Sequence, residues 1–374
     1  MNREEIFNIT TRRSLKPVIQ WLDDPSISEI LINGPHDIYI ERNGLLEKTG
    51  ACFDDEESLN TAARNIAQYV NKRITPQTAR LDARLPDGSR VHMVFPRCAR
   101  IGVCLAIRKF GRQAFSLDYL VKAGSLVAAA REYIELMVAL GRNLIVSGGT
   151  GTGKTSLLNA ISAVIPSNER IIVIEDSAEL QFQQPHVVSL ETAPADHHGA
   201  GAVTIRDLFH SALRMRPDRI IIGECRGGEA LDLIQAMTSG HGGSMSTLHA
   251  NNGRDALNRL ETMALMSGVD LPLAALRAQV SSAIEVIVQT TRLADGRRMV
   301  TEISEVGSLN SNGQYTVTPI FSFSPQAETG TPVLAWTGTT SIHGPMLDLK
   351  QLRAKVELTA RIFATVNQSE ATGR

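Results

Sequence analysis

Along residues 1–110 the spacing of apolar positions changes repeatedly between helical and alternating. Leu15, Val18, Ile19 and Leu22 recur at helical spacing and predict a helix over residues 3–22. SISEILINGPHDIYIERNGLLEK then alternates apolar and polar positions around Asn33-Gly34 and Asn43-Gly44, which reads as strand, turn, strand, turn, strand. EESLNTAARNIAQYVNK (56–72) returns to a helical period. LDARLPDGSRVHMVFP predicts two short strands joined at Asp87-Gly88, and RIGVCLAIRK (100–109) predicts one more. The expectation is an α+β domain over 1–110, followed by a linker over 111–125 with a helix-start signal at Ser116.

From residue 126 helices alternate with short apolar runs. AAAREYIELMVALG and KTSLLNAISAVI (154–165) are helical, whereas NLIVS (143–147), RIIVIE (170–175), RIIIGE (219–224) and SMSTLHA (244–250) read as buried strands. That order predicts an α/β domain over 126–310 with a mostly parallel sheet and helices on its faces. SSAIEVIVQTTRLADGRRMVTEISEV (281–306) predicts a hairpin over Asp295-Gly296. Residues 311–374 are rich in Thr, Ser, Gly and Pro. They carry weak strand signals and an amphipathic pattern that predicts a final helix over 348–365, and are read as a C-terminal extension without an assigned role. No fixed-period repeat is visible.

Composition narrows the function classes. Thirty-eight basic and 39 acidic residues leave a net charge of −1, which argues against a dedicated nucleic-acid binder. Cys52, Cys98, Cys104 and Cys225 form no CxxC pair, so neither a zinc site nor a disulfide framework is expected. The N-terminus lacks the pattern of a secretory leader, and no long uncharged apolar run is present. The expectation is a cytoplasmic protein with at most peripheral membrane contact.

The chemistry centres on Gly148-Gly149-Thr150-Gly151-Thr152-Gly153-Lys154-Thr155, followed by Ser156, between a predicted strand and a predicted helix. This fits GxxxxGK[ST]. Glycines let backbone N–H groups face phosphate, Lys154 reaches the β- and γ-phosphates of ATP, and Thr155 offers its hydroxyl to Mg²⁺. Hydrolysis also needs a metal ligand and a group that orients or deprotonates water. Glu175, with Asp176 and Glu179 behind it, and Glu224 stand at strand ends where such groups belong. The competing reading of a strand-end acid is a helix cap. No Asp follows the IIIG run, so Glu224 takes the metal, the water or both. His249 ends another predicted strand, where a nucleotide-sensing role competes with a structural one. His241, in SGHGGS, is either near the site or a turn residue, and His197-His198 read as a solvated loop. Arg84, Arg90, Arg97 and Arg108 cluster in or beside short strands, either as ion-pair formers or as arginines supplied to phosphate across a boundary.

GGTGTGKT, IEDSAELQFQQPHVVSLET, VTIRDLFHSALRMRPDRIIIGECRGGEALDLIQAM and GSMSTLHANN together resemble the type II/type IV secretion ATPases. Within them the chain looks most like the CpaF-type motors of Tad (Flp) pili, with the TrbB-type conjugation ATPases as near relatives. SEILINGPHDIYIERNGLL, DARLPDGSRV and IRKF carry the likeness into the N-terminal part, so that it spans roughly residues 15–306. The resemblance implies a RecA-like ATPase domain behind a PAS-like N-terminal domain. It implies a homohexameric ring at the inner membrane that works with platform or channel proteins of a pilus or secretion machine. It places Glu175 as the key acid of the Asp box, Glu224 in an atypical Walker B and His249 in the His box. It makes Arg84, Arg90 and Arg108 candidates to reach phosphate. GHGGS stands where the family often has GHDGS, and the PADHHGAGAV loop departs from the pattern. Two other readings compete with the motor: a nucleotide-gated scaffold with little turnover, and a motor stimulated by nucleic acid.

Overall fold

The computed structural model describes residues 3–109, 116–195, 200–325 and 332–364, with backbone alone at 3–8, 324, 325 and 332. His197-His198, linker residues 111–115 and the last residue of the 348–365 segment lie outside the described residues. The chain divides into two compact units, residues 1–113 with 294–297, and residues 114–293 with 298–374.

The first unit contains α1 (Arg3–Ser14), α2 (Ile19–Asp23), β1 (Ile27–Asn33), β2 (Ile38–Arg42), β3 (Leu45–Lys48), α3 (Glu56–Tyr69), β4 (Arg80–Arg84), β5 (Arg90–Val94) and β6 (Cys104–Arg108). Its antiparallel sheet runs β3-β2-β1-β6-β5-β4. One face buries Ile30, Ile32, Val91, Met93, Leu105 and Ile107 in a core shared with Leu59 and Ile66 of α3. The two-residue period of a strand turns the intervening polar side chains to the other face. Asn43 and Gly44 adopt φ of 50° and 82°, the left-handed pair that a tight hairpin needs.

Three expected elements are altered here. The helix over 3–22 breaks at Pro17, which has no N–H to donate and sits in a short 3₁₀ turn, Lys16–Val18. α3 ends at Tyr69 instead of residue 72, because Asn71 takes φ of 55°. The strand expected over 100–109 narrows to β6, since Gly102 turns at φ of 99°.

The second unit contains α4 (Leu117–Lys122), α5 (Ala128–Ala139), β7 (Leu144–Gly148), α6 (Lys154–Ser162), β8 (Ile171–Glu175), β9 (Val187–Glu191) and α7 (Ile205–Ala212). It continues with β10 (Arg219–Ile222), α8 (Glu229–Thr238), β11 (Met245–Leu248), α9 (Gly253–Leu265), α10 (Leu273–Ala283), β12 (Val286–Arg292), β13 (Arg298–Gly307), β14 (Thr316–Pro325), β15 (Pro332–Trp336) and α11 (Gly344–Leu349). Ser116 caps α4 by accepting from Tyr119 N, as its sequence context predicts. The sheet runs β15-β14-β13-β12-β7-β11-β10-β8-β9, parallel from β12 to β9 and antiparallel from β12 to β15. Every residue of β7, β8, β10 and β11 is buried, as strands covered on both faces require. One layer packs α5 and α6 through Tyr133, Met137, Leu157 and Ile161. The other packs α7 to α10 through Phe209, Leu231, Leu257 and Val280. This is the α/β, RecA-like arrangement that the sequence leads one to expect.

The segment beyond residue 310 continues this unit. β14 and β15 extend the sheet, and the following residues are fastened to α5. The Glu132 carboxylate accepts the N–H groups of Glu357, Leu358 and Thr359 at 3.0, 2.8 and 3.0 Å. The Tyr133 ring stacks on Phe363 and meets Phe321 edge-on, while its hydroxyl donates to buried Glu305 at 2.5 Å. The final helix expected over 348–365 therefore does not form. Gln351 takes φ of 57°, and the N–H groups that would have bonded back along a helix go to Glu132. Glu132→Ala is expected to release this stretch first. Amide exchange at residues 357–359 would then quicken by at least about tenfold, whereas exchange in β7 and β10 would stay at the wild-type rate.

Candidate active site

β7 is the central parallel strand, flanked by β12 and β11, and it delivers the phosphate-binding loop at its C-terminal end. Gly148 has no room for a side chain. A Cβ there would lie 2.6 Å from both Thr152 Oγ1 and the Thr290 carbonyl. Gly151 and Gly153 adopt φ of 70° and 90°, and Gly153 forms the left-handed cap of α6. Lys154, Thr155 and Ser156 open that helix, whose first N–H groups and dipole favour an anion. Thr152 Oγ1 and Lys154 Nζ both donate to the Gly149 carbonyl, at 2.9 and 2.8 Å.

β10 and β11 end beside this loop. Gly223 N continues the ladder to Ile174 O and Cys225 N bonds Thr247 O, so Glu224 is held between two strand ends. His249 follows β11 directly. Lys154 Nζ stands 3.4 Å from His249 Nδ1, and His249 Nε2 stands 2.9 Å from Glu224 Oε1, close but off the line of a well-aimed hydrogen bond. The other oxygen of Glu224 accepts from Arg226 at 2.6 Å, and Arg226 lies 3.6 Å from Asp176. Lys154 has only protons to give, so Nδ1 is the acceptor and the ring proton of neutral His249 sits on Nε2, facing Glu224.

Electrostatics agree with this arrangement. Burial opposes ionisation of Glu224, but the Arg226 hydrogen bond and charge, with His249 and Lys154, outweigh it and hold the carboxyl below its usual range. Burial and the Lys154 charge hold His249 below its ordinary value, against the pull of Glu224. At neutral pH the site is an ionised carboxylate beside a neutral imidazole.

Glu175 is placed differently from Glu224. It is buried, and its Oε1 accepts from Glu179 N and Leu180 N at 2.9 and 3.0 Å, which closes the turn after β8. Its Cγ also fills the space where Gly223 would carry a Cβ, 2.9 Å away. This geometry is that of a backbone cap beside the Glu224 strand.

His241 lies at the opposite end of the strands, in the loop that leads into β11. Its loop bonds Asn143, the residue before β7, through Gly243 N and Ser244 N to Asn143 Oδ1. The glycines of SGHGGS have a local reason as well: a Cβ on Gly243 would strike the buried Arg219 guanidinium at 2.7 Å. His241 is a turn residue remote from phosphate.

In the first unit Arg84 pairs in register with Arg90, Arg90 with Arg108, and Arg108 with Glu29. Three arginines thus share one cross-strand row on the face away from the core. Arg97 is outside it, on a loop, and donates to Gln77 O.

Sequence reasoning missed Arg226 and Thr290. Arg226 neutralises Glu224, and its place in GECRGGE two residues after the acid was an available signal. Thr290 bonds Thr152 Oγ1 at 2.9 Å across 138 residues of chain, which nothing local announces.

Residues 11–342 match the family model described as "Type II/IV secretion system protein". The type IV secretion system protein PtlH of Bordetella pertussis is 36% identical over 318 residues, covering 77% of this chain and 93% of that protein. VirB11 of Bartonella quintana is 32% identical over 342 residues, covering 81% and 94%. Among solved structures, the Legionella pneumophila ATPase DotB superposes with a TM-score of 0.52 at 18% identity, over 81% of this chain and 82% of that one. The pilus retraction motor PilT with bound ADP gives 0.51 at 15% identity, over 99% and 98%, and both speak to the fold alone. With a family model spanning most of its length and relatives above 30% identity over nearly their whole length, this chain belongs to the type II/IV secretion system protein family.

Proposed function

We propose that this chain is an ATP-hydrolysing motor, a homohexameric ring at the cytoplasmic face of the inner membrane that drives pilus assembly or secretion. The observation that carries this reading is the linked set of Lys154, at the start of α6 after the glycine loop, with His249 and Glu224 just past the ends of adjacent strands β11 and β10. No described helix is long and apolar enough to cross a membrane, so contact with platform or channel proteins would be peripheral. CpaF-type pilus motors and TrbB-type conjugation ATPases serve as models for the machine it works in.

In this mechanism the loop N–H groups and the α6 terminus hold the phosphates, and Lys154 exchanges its Gly149 contact for phosphate oxygen. Ionised Glu224 accepts the proton of the attacking water. Arg226 donates to one oxygen of that carboxylate and orients it, and the neutral His249 ring stands 2.9 Å from the other. The donor set fits Mg²⁺. Among the described residues no three His, Cys, Asp or Glu cluster into a metal cage. Thr155 and Glu224 would supply the one or two oxygens that Mg²⁺ takes from protein, leaving phosphate and water to provide the rest. Bound there, Mg²⁺ neutralises charge on the transferring phosphate oxygens. Arg84, Arg90 and Arg108, aligned in one cross-strand row, are the candidates to reach those phosphates.

Phosphate release from the purified full-length protein, with its mass measured in solution, tests this reading. Steady turnover that stops with EDTA, from a six-subunit species, is expected. Nucleotide binding without turnover would favour a scaffold, and turnover raised by DNA or RNA in a salt-dependent way would favour a nucleic-acid motor.

A further inference from the structure

The last paired rung of the β12–β13 hairpin sets Arg292 directly opposite Arg298. Both lie against the phosphate loop. Arg298 Nε donates to the Gly151 carbonyl at 2.9 Å. The Arg298 stem runs past Gly153, where a Cβ would fall 3.3 Å from Arg298 Cδ. Arg292 Nη1 lies 3.4 Å from the position a Gly151 Cβ would take.

Peptide geometry connects this contact to the nucleotide. In a trans peptide the C=O and N–H groups point in opposite directions. The bond from Arg298 to Gly151 O therefore also fixes the direction of Thr152 N–H, on the other side of the same peptide plane. Gly151 and Gly153 flank this stretch at positive φ, and glycine resists a peptide flip less than other residues do. A tether from outside the loop removes that freedom. Two guanidinium groups behind an anion-binding loop also raise its positive potential.

We infer that Arg292 and Arg298 act as a pair of positioning residues for nucleotide binding, Arg298 by holding the Gly151–Thr152 peptide and Arg292 by adding charge behind it. The inference rests on the reading of residues 148–156 as the nucleotide site. Its test is ADP affinity of the full-length protein, measured with a fluorescent ADP analogue beside ATP turnover. Arg298→Ala is expected to weaken ADP binding on the order of tenfold or more, the scale of a lost charge-assisted hydrogen bond. Its nucleotide-free unfolding temperature would stay within a few degrees of wild type. KM for ATP would rise by a larger factor than kcat falls. Arg298→Lys is expected to recover only part of the affinity, because an ammonium lacks the planar Nε–H. Arg292→Ala would weaken binding more at low salt than at high salt, as an effect carried by charge must.

Wild-type ADP affinity in both Arg298 variants overturns the inference. If Arg298→Ala does not fold, Arg298→Lys decides, and full wild-type affinity there overturns it. Wild-type protein that binds ADP but releases no phosphate overturns the motor reading while leaving this inference in force, whereas failure to bind ADP at all overturns both.

Discussion

Glu224→Gln is expected to lower ATP turnover by a factor on the order of 10²–10³ while ADP affinity stays within about twofold of wild type. Glutamine keeps the size of the side chain, and its amide oxygen can still accept from Arg226, so the strand ends around it stay in place. It cannot accept a proton from water, and that is the step assigned to the ionised carboxylate. Lys154→Ala should behave differently, losing affinity and turnover together, because Lys154 meets the ground-state nucleotide as well as the transition state. Measuring kcat, KM and ADP binding for both variants separates the roles. Unchanged turnover in Glu224→Gln would remove Glu224 from the chemistry and return it to the helix-cap reading.

The largest expected loss of stability is at Asn143. This buried amide donates to Met237 O and Ala283 O at 3.1 and 2.8 Å, and accepts from Gly243 N and Ser244 N at 2.9 and 3.2 Å. It joins the end of α8, the end of α10 and the loop before β11 to the start of β7. Asn143→Leu keeps much of the volume but leaves four buried backbone groups without that partner. Each such group costs about 1–3 kcal/mol, and with partial recovery through water the total should be about 3–5 kcal/mol. A urea titration would show a lower midpoint at unchanged slope. A shift smaller than that of an exposed control substitution would mean that water replaces the amide at no cost.

The phosphate loop and the acids at strand ends are legible in the sequence because each follows from one local rule, a short apolar run followed by glycine or acid. The row of Arg84, Arg90 and Arg108 was half legible: the residues stood out, but their alignment depends on the register of β4, β5 and β6. What stayed hidden lies mostly in contacts between residues far apart in the chain. Glu175 reads as a catalytic acid because its position at a strand end is shared with Glu224, and its local hold on the N–H groups of Glu179 and Leu180 shows only in the structure. The 348–365 segment has a sound helical period. It lost to Glu132, a charged acceptor more than 200 residues earlier that satisfies its N–H groups better than a solvated turn would. The grip of Arg298 on Gly151 spans 147 residues, and the LADGRR hairpin alone could reveal its turn but not its target.

The strand order also has a consequence for how this protein is made. β7 carries the phosphate loop, yet both strands that pair with it, β11 and β12, come later in the chain. A ribosome adding roughly 5–20 residues per second needs about 5–20 s to travel from the end of β7 to the start of β11. Through that interval a strand that the finished fold buries along its whole length has no sheet neighbour to join. The nascent chain therefore passes through a period of exposure to chaperones and to other nascent chains, set by topology before any nucleotide can bind.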